Sequence, residues 1–138
     1  MKIGVIGCGN MGGGMVAQLV AAGMDVVCFD PDVETRQRML AVGARIEETV
    51  TELVRGRTFV ILSLPKAKIV EAVMGEVCTH IESGAIVLDT STSTPATSQA
   101  MAALGQTHGF EFIDGPVSGG PAAAKAGTMT MLLAGSQS

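Results

Sequence analysis

The sequence contains no Trp, no Tyr and only four Phe, and charged residues make up just 16% of its 138 residues. Apolar residues reach 47%, and a chain with this balance is not a disordered tail, which would be rich in charge and poor in apolar residues. The nine Lys and Arg are scattered, no basic run occurs, and the net charge is −4. We therefore expect neither nucleic acid nor an acidic membrane surface as a partner.

Cysteine is scarce as well, because Cys8, Cys28 and Cys78 are the only three, and they are widely spaced in apolar stretches. Neither a disulfide framework nor a zinc-ligand spacing is present. We expect three buried thiols that act as small apolar groups, and no metal site. The sequence also lacks a signal-peptide pattern and any apolar run long enough to span a bilayer. These absences favour a reducing cytoplasm and no membrane partner.

Glycine, in contrast, is abundant, with 18 residues, against an average share of about 7%. Several glycines end short apolar strands or helical segments that alternate along the chain. We predict strands at residues 2–6, 26–29, 44–46, 58–64, 85–88, 110–113 and 128–133, and helices at 10–22, 33–41, 49–54, 66–75 and from 94 onward. Strands that alternate with helices on short connections form a parallel sheet covered on both faces. The prediction is one doubly wound, mainly parallel α/β domain over residues 1–138.

A glycine-rich hexapeptide follows the first predicted strand and opens the first helix: Gly7-Cys8-Gly9-Asn10-Met11-Gly12. This G-x-G-x-x-G pattern, in its strand–turn–helix context, predicts a dinucleotide-binding domain of the Rossmann type. The first glycine permits the tight turn, the second lets backbone N–H groups approach a pyrophosphate, and the third lets helix and strand pack closely. The pyrophosphate would lie at the helix N-terminus. The alternative is a tight turn that binds nothing.

An acidic residue closes the second predicted strand. Asp30 lies 18 residues after Gly12, where this fold places the carboxylate that accepts hydrogen bonds from the adenosine ribose. A carboxylate at this position repels the 2′-phosphate of NADP, and the next residues, Pro31 and Asp32, offer no Arg to attract it. The sequence therefore favours NAD over NADP as the cofactor. The alternative is that Asp30 only forms an Asx-turn before the next helix.

Three segments together resemble the motifs of the β-hydroxyacid dehydrogenase family. They are the hexapeptide of residues 7–12, the segment Asp89-Thr90-Ser91-Thr92-Ser93-Thr94-Pro95, and the segment Asp114-Gly115-Pro116-Val117-Ser118-Gly119-Gly120 with Gly127-Thr128 after it. The last match is long and specific, and the three segments span nearly the whole chain. The resemblance implies an oxidoreductase that transfers a hydride between nicotinamide and a small β-hydroxyacid or its semialdehyde, of the 3-hydroxyisobutyrate or 2-hydroxy-3-oxopropionate type.

Two loops at the carboxyl ends of predicted strands gain a role from this resemblance. It implies that Thr92 contacts the cofactor near its nicotinamide half and that Leu64 and Pro65 lie along its ribose and phosphates. The predicted topology agrees, because ligands bind at that edge of an open α/β sheet. The alternative for the hydroxyls around Thr92 is a helix N-cap with spare hydroxyl groups.

The resemblance also implies that Ser118, Gly119 and Gly120 hold the acid group of the substrate. A hydroxyl beside bare backbone N–H groups suits a carboxylate, since oriented N–H groups form an anion-binding concavity. The alternative is a flexible surface turn. Ala123 stands where many relatives have glycine, which bears on the shape of this loop.

A group that could exchange a proton with the substrate oxygen is missing. Hydride transfer to or from an alcohol needs such a group with a pKa near the working pH, but we expect every lysine and histidine of the chain at the surface: Lys2, Lys66, Lys68, Lys125, His80 and His108. The family carries its catalytic lysine in a downstream G-x-x-K-x-x-x-N segment, which is not found up to Ser138. The resemblance thus places the lysine beyond Ser138, together with a helical second domain that builds a homo-oligomer.

Two hypotheses follow from the sequence. The first is that these residues are the cofactor domain of a longer, NAD-dependent enzyme, and that the 138-residue chain alone is inactive. The second is a non-catalytic nucleotide-binding or interaction module that keeps the fold without the chemistry. The Ser-Gly-Gly triplet favours the enzyme, because a module that only senses NAD needs no site for a substrate anion.

Overall fold

The computed structural model describes residues 1–135, and a fully parallel sheet of six strands lies at its centre. The strands are β1 (Lys2–Ile6), β2 (Asp25–Phe29), β3 (Arg45–Ile46), β4 (Phe59–Leu62), β5 (Ile86–Asp89) and β6 (Glu111–Asp114). The helices between them are α1 (Asn10–Ala21), α2 (Val33–Ala41), α3 (Val50–Val54), α4 (Ala67–Val77) and α5 (Pro95–His108). The predicted doubly wound α/β fold is confirmed.

The strand order β3-β2-β1-β4-β5-β6 reverses direction at β1. β1 pairs in parallel with both β2 and β4, and Ile6 at its end lies opposite Phe29 and Leu62. The three strands therefore end at the same level. The connections after β1 and β4 lead to opposite sides of the sheet order, so a crevice opens between them beyond the carboxyl ends of the strands. Open α/β sheets bind ligands in such a crevice.

Apolar residues cover both faces of the sheet, as expected for parallel strands with helices on either side. One core cluster includes Leu62, Val70 and Met74 and packs beneath α3, α4 and α5, whereas the other includes Val5 and Val16 and packs beneath α1 and α2. The three cysteines are buried free thiols, which confirms their predicted place in the core. Within the described residues, no helix is long and apolar enough to cross a membrane.

The predicted start of α5 is also confirmed. The Thr94 side chain accepts a hydrogen bond from the Thr97 backbone N–H, and Pro95 takes the first helical position. A proline is favourable there because the first N–H of a helix has no partner within the helix. The helix ends at Gly109 in the left-handed conformation, with φ of 82°.

The segment after β6 departs from the sequence prediction. The strand predicted at 128–133 is present but shorter, because β8 spans only Thr130–Met131. It was expected in the parallel sheet but pairs antiparallel with β7 (Val117–Ser118) in a separate sheet. The loop predicted at Ser118 to Gly120 is interrupted as well, since Gly120 begins a further helix, α6 (Gly120–Ala126). The small residues of α6 show no helical spacing of apolar side chains, so the sequence did not predict this helix. The helix packs against α1 at Gly14, where a Cβ would lie 3.0 Å from the Ala124 Cβ.

Candidate functional site

The glycine-rich turn between β1 and α1 contains two glycines that are required by the packing of the protein's own backbone. Gly7 has φ of 91°, and a Cβ there would lie 2.1 Å from the Ser63 carbonyl oxygen. A Cβ on Gly12 would lie 1.9 Å from the Gly7 carbonyl oxygen. Neither position therefore accepts a side chain while helix and strand keep this distance.

Gly9 differs, because a Cβ at this position would meet no described atom within 4 Å. Gly9 is the N-cap of α1, has φ of −66° and carries no side chain that could cap the helix. The first N–H groups of a helix lack partners within it, and here they border open space. An anionic group can approach this backbone closely.

A cavity of about 590 Å³ opens beside this turn. It is lined by residues from the ends of β1 and β2, the first turn of α1, the three connections that follow β1, β2 and β4, and α4: Ile6, Gly7, Gly9, Asn10, Met11, Gly12, Phe29, Asp30, Pro31, Ser63, Leu64, Pro65, Ile69 and Val73. The structure thus brings together all the residues predicted to bind the cofactor except Thr92. Thr92 is exposed on the loop after β5 and does not line the cavity.

Asp30 ties the glycine-rich turn to the connection between β2 and α2. Its Oδ2 accepts the Cys8 N–H at 2.9 Å, and its Oδ1 accepts the Asp32 N–H at 2.9 Å. The second bond is the Asx-turn contact considered from the sequence. Each carboxylate oxygen can accept more than one hydrogen bond, so both oxygens retain capacity for a hydroxyl of a ligand in the cavity.

The charges next to Asp30 come from α2 and its cap. Asp32 is the N-cap of α2, and hydrogen bonds from the Thr35 hydroxyl and N–H hold the pKa of the Asp32 carboxyl below its ordinary value. The Arg36 guanidinium donates to the Asp30 carbonyl oxygen at 3.2 Å. Pro31 and Asp32, on which the sequence prediction rested, give no sign of this cation. Arg36 lies in the first turn of α2, close to the residues that precede the helix. This position in the predicted helix is the signal that could have indicated a cation beside Asp30.

Cys8 lies inside the turn but faces the core. The neighbouring Cys28 thiol and burial both raise the pKa of the Cys8 thiol. A thiol in this environment stays protonated at neutral pH and is a poor nucleophile. Cys8 therefore contributes packing and a backbone N–H to the site.

The part of the cavity wall formed by Leu64 and Pro65 is connected to the loop after β5. The Leu64 N–H donates to Ser91 Oγ at 2.8 Å, and the Thr90 hydroxyl donates to the Leu62 carbonyl oxygen at 2.7 Å. Asp89 accepts the Ser91 N–H, and burial raises the pKa of the Asp89 carboxyl. The hydroxyl of this loop that reaches the cavity wall thus belongs to Ser91, which nothing in the sequence distinguishes from its neighbours.

The Ser-Gly-Gly triplet lies where β7 meets α6. Ser118 is exposed at the end of β7, and Gly119 and Gly120 have φ of 106° and 67°. A Cβ on Gly119 would lie 2.6 Å from the Ala123 Cβ, so Ala123 is accommodated because residue 119 is a glycine. The triplet does not line the cavity of about 590 Å³.

A second cavity, of about 430 Å³, connects α6 with the glycine-rich turn. Gly9 and Asn10 line both cavities, while Pro121, Ala122 and Lys125 line only the second. Like the other lysines and both histidines, Lys125 is exposed, as predicted. No group of His, Cys, Asp and Glu residues that could hold a metal ion occurs among residues 1–135.

The sheet order, the glycine-rich turn and the acid at the end of β2 together define a class of protein, the Rossmann-type NAD(P)-binding domains. A family model described as the NAD binding domain of 6-phosphogluconate dehydrogenase matches residues 2–138. The chain belongs to this family. The family resemblance drawn from the three motifs is thereby confirmed.

Relatives with assigned activities are similar along the whole chain. A 2-(hydroxymethyl)glutarate dehydrogenase of Eubacterium barkeri is 34% identical over 99% of this chain and 46% of its own length. An NAD-dependent L-serine dehydrogenase of Pseudomonas aeruginosa is 34% identical over 97% of this chain and 46% of its own length. The chain therefore spans about half the length of the curated relatives that it matches.

Solved structures agree with the fold. The 3-hydroxyisobutyrate dehydrogenase of Mycobacterium tuberculosis with L-serine has a TM-score of 0.93 and 32% identity, over 96% of this chain and 45% of that one. A protein named Psf3, in complex with NADP+ and 2-OPP, has a TM-score of 0.93 and 27% identity, over 97% of this chain and 49% of that one.

Proposed function

We propose that the chain is the cofactor domain of an NAD-dependent oxidoreductase that transfers a hydride between nicotinamide and a small β-hydroxyacid or its semialdehyde. The observation that carries this proposal is the single cavity that joins the open face of Gly9, the carboxylate of Asp30 and the Leu64-Pro65 wall. The pyrophosphate of a dinucleotide requires the first surface, the adenosine ribose requires the second, and the third is a wall along which its ribose and phosphates can lie. The nicotinamide supplies the hydride acceptor or donor when the cofactor is bound.

Each part of the cavity has a proposed role toward the dinucleotide. The N–H groups from Gly9 to Gly12 bind the pyrophosphate, and Asp30 accepts hydrogen bonds from the adenosine ribose. Leu64 and Pro65 lie along the ribose and phosphates. Thr92 contacts the nicotinamide half, which agrees with its exposed place at the carboxyl edge of the sheet.

We propose NAD as the preferred cofactor. Asp30 lines the cavity, and a 2′-phosphate beside its carboxylate would face like charge. Arg36 is a nearby cation that would attract a 2′-phosphate, but its guanidinium donates to the Asp30 carbonyl oxygen. The preference is therefore expected to be a difference in affinity between NAD and NADP rather than an absolute exclusion.

The substrate and the rest of the enzyme are proposed from the relatives. The names of the relatives include dehydrogenases of 3-hydroxyisobutyrate, L-serine and 2-(hydroxymethyl)glutarate, which are small acids that carry a hydroxyl group. We propose that Ser118, Gly119 and Gly120 bind the carboxylate of such an acid. A lysine beyond Ser138 exchanges the proton, and a second domain completes the homo-oligomer. The buried free thiols agree with a reducing cytoplasm.

Titration calorimetry of the 138-residue chain with NAD and with NADP tests the cofactor. We expect NAD to bind more tightly, and we expect Asp30→Asn to narrow the gap between the two cofactors because it removes the negative charge. A wild-type chain that binds neither dinucleotide would overturn the proposed function. A clear preference for NADP would overturn the cofactor assignment alone.

The substrate class is tested on the full-length protein, with NAD reduction followed by absorbance. The panel contains 3-hydroxyisobutyrate, L-serine and 2-(hydroxymethyl)glutarate, and the matched control is each acid with its hydroxyl removed. We expect turnover of at least one hydroxyacid and none by the 138-residue chain. A full-length protein that binds NAD but oxidises none of the panel would favour the non-catalytic module.

A further inference from the structure

A buried carboxylate organises the loop that follows β5. Asp89 is fully buried at the end of this strand. Its Oδ1 accepts the Ser91 N–H at 2.9 Å, and its Oδ2 accepts the Ser93 hydroxyl at 3.2 Å. Burial of a carboxylate is costly unless hydrogen bonds compensate for the lost water. Asp89 therefore holds the backbone of Ser91 in one place.

Ser91 transmits this constraint to the neighbouring loop. The residue is only 4% exposed, and its Oγ accepts the Leu64 N–H at 2.8 Å. The preceding N–H, that of Ser63, instead donates to the Ile6 carbonyl oxygen and continues the pattern of the sheet. The hydroxyl of Ser91 thus fixes the chain at the point where it leaves β4 and enters the cavity wall.

We propose that Asp89 and Ser91 are positioning residues for the cofactor, with Asp89 fixing Ser91 and the Ser91 hydroxyl fixing the Leu64-Pro65 wall. This role rests on the proposed function. Neither residue lines the cavity, whereas Leu64 and Pro65 do, so both act through the Leu64 backbone. The motif that resembles the dehydrogenase family thus contains two kinds of hydroxyl, an exposed one on Thr92 and a buried one on Ser91.

Two substitutions in the same loop provide a matched test. Ser91→Ala removes the hydroxyl that reaches Leu64 but keeps the backbone N–H that donates to Asp89. Ser93→Ala removes a hydroxyl that also donates to Asp89 but does not reach Leu64. Ser91→Ala removes the acceptor of the partly buried Leu64 N–H at the cavity wall, whereas Ser93→Ala leaves that bond in place and leaves Asp89 with the Ser91 N–H as a donor.

The 138-residue chain is used for two measurements, the dissociation constant for NAD by calorimetry and amide hydrogen exchange by NMR. For Ser91→Ala we expect NAD affinity to fall about tenfold and exchange of the Leu64 amide to accelerate about tenfold or more. The Ser63 amide is the internal control, and its exchange should not change. For Ser93→Ala we expect changes of about twofold or less in both measurements.

The outcomes separate this role from the proposed function. A wild-type chain that binds neither NAD nor NADP would overturn both. A wild-type chain that binds NAD and a Ser91→Ala variant that binds it equally well would overturn the positioning role alone. If Ser91→Ala does not fold, Ser91→Cys replaces it, because a thiol nearly keeps the shape of the side chain but is only a weak acceptor. Unchanged NAD affinity and unchanged Leu64 exchange in that variant would also refute the role.

Discussion

Two glycines of the same turn, Gly12 and Gly9, allow folding and ligand binding to be separated by experiment. In Gly12→Ala, the new Cβ would lie 1.9 Å from the Gly7 carbonyl oxygen and 2.9 Å from its carbon. Both are backbone atoms, so the clash is relieved only if α1 moves away from β1. In Gly9→Ala, the new Cβ would meet no described atom within 4 Å, and the φ of −66° suits any residue.

Gly12→Ala should therefore reduce stability, whereas Gly9→Ala should reduce NAD affinity and leave stability nearly unchanged. Gly12→Ala should lower the free energy of unfolding by about 3 kcal/mol, the upper part of the range for overpacking, and the melting temperature by about 10 °C. Gly9→Ala should stay within about 0.5 kcal/mol of the wild type. Its NAD affinity should nevertheless fall at least about tenfold, or about 1.4 kcal/mol, because the methyl group occupies the space through which the pyrophosphate approaches the backbone.

Gly75→Ala is the matched control, because Gly75 is an exposed position of α4 where a Cβ also meets no described atom within 4 Å. This variant should gain about 0.8 kcal/mol from helix propensity and bind NAD like the wild type. Thermal melts and calorimetry measure the two properties on all three variants. A Gly9→Ala variant that binds NAD as tightly as the wild type, or a Gly12→Ala variant of undiminished stability, would refute the separate roles of the two glycines in the turn.

Three further variants test local structure by thermal melts. Gly119→Ala should cost about 2 kcal/mol because it combines a left-handed φ with a contact of 2.6 Å to the Ala123 Cβ, and adding Ala123→Gly should restore part of the loss; a single variant as stable as the wild type would contradict this. Asp32→Ala should lower the melting temperature at neutral pH. Because the pKa of Asp32 is lowered in the folded state, its contribution to stability is present above the ordinary value of 3.8 and is lost as the pH falls through the folded-state value. The difference in melting temperature between variant and wild type should therefore narrow below pH 3.8. A difference independent of pH would count against the role of Asp32 as a helix cap. Thr94→Ala should cost about 1 kcal/mol of stability as a lost N-cap and leave NAD affinity unchanged, whereas an unaltered melting temperature would show that the cap is dispensable.

Local signals were sufficient to predict most of the fold. In the hexapeptide after β1, the need for glycine at position 12 arises within the motif, since a Cβ there would meet the Gly7 carbonyl oxygen. Thr94 and Pro95 mark the start of α5 through hydrogen bonding and a fixed φ, which depend on neighbouring residues only. Such signals are complete within a few residues, so they can be recognised without knowledge of the tertiary structure.

The features that were missed depend on contacts between distant parts of the chain. β7 and β8 are two residues each and are defined by their antiparallel pairing, which no periodicity within either segment indicates. α6 is held against α1 across Gly14. In the loop after β5, five adjacent hydroxyl residues (90–94) look equivalent in the sequence, and only the bond from the Leu64 N–H distinguishes Ser91 from the rest.

The two hydrogen bonds that Asp30 accepts, from Cys8 and Asp32, have a consequence for how this domain could change its cofactor during evolution or by design. A change toward NADP would replace the acid at this position with a neutral or basic residue. In this chain a basic residue would also leave the N–H groups of Cys8 and Asp32 without their acceptor, so the hydrogen bond that holds the glycine-rich turn to residue 30 would be lost. Asn removes the charge but offers one oxygen where the carboxylate offers two, so it can replace at most one of these bonds in the same geometry. Altered selectivity in this chain is thus coupled to the integrity of the turn itself.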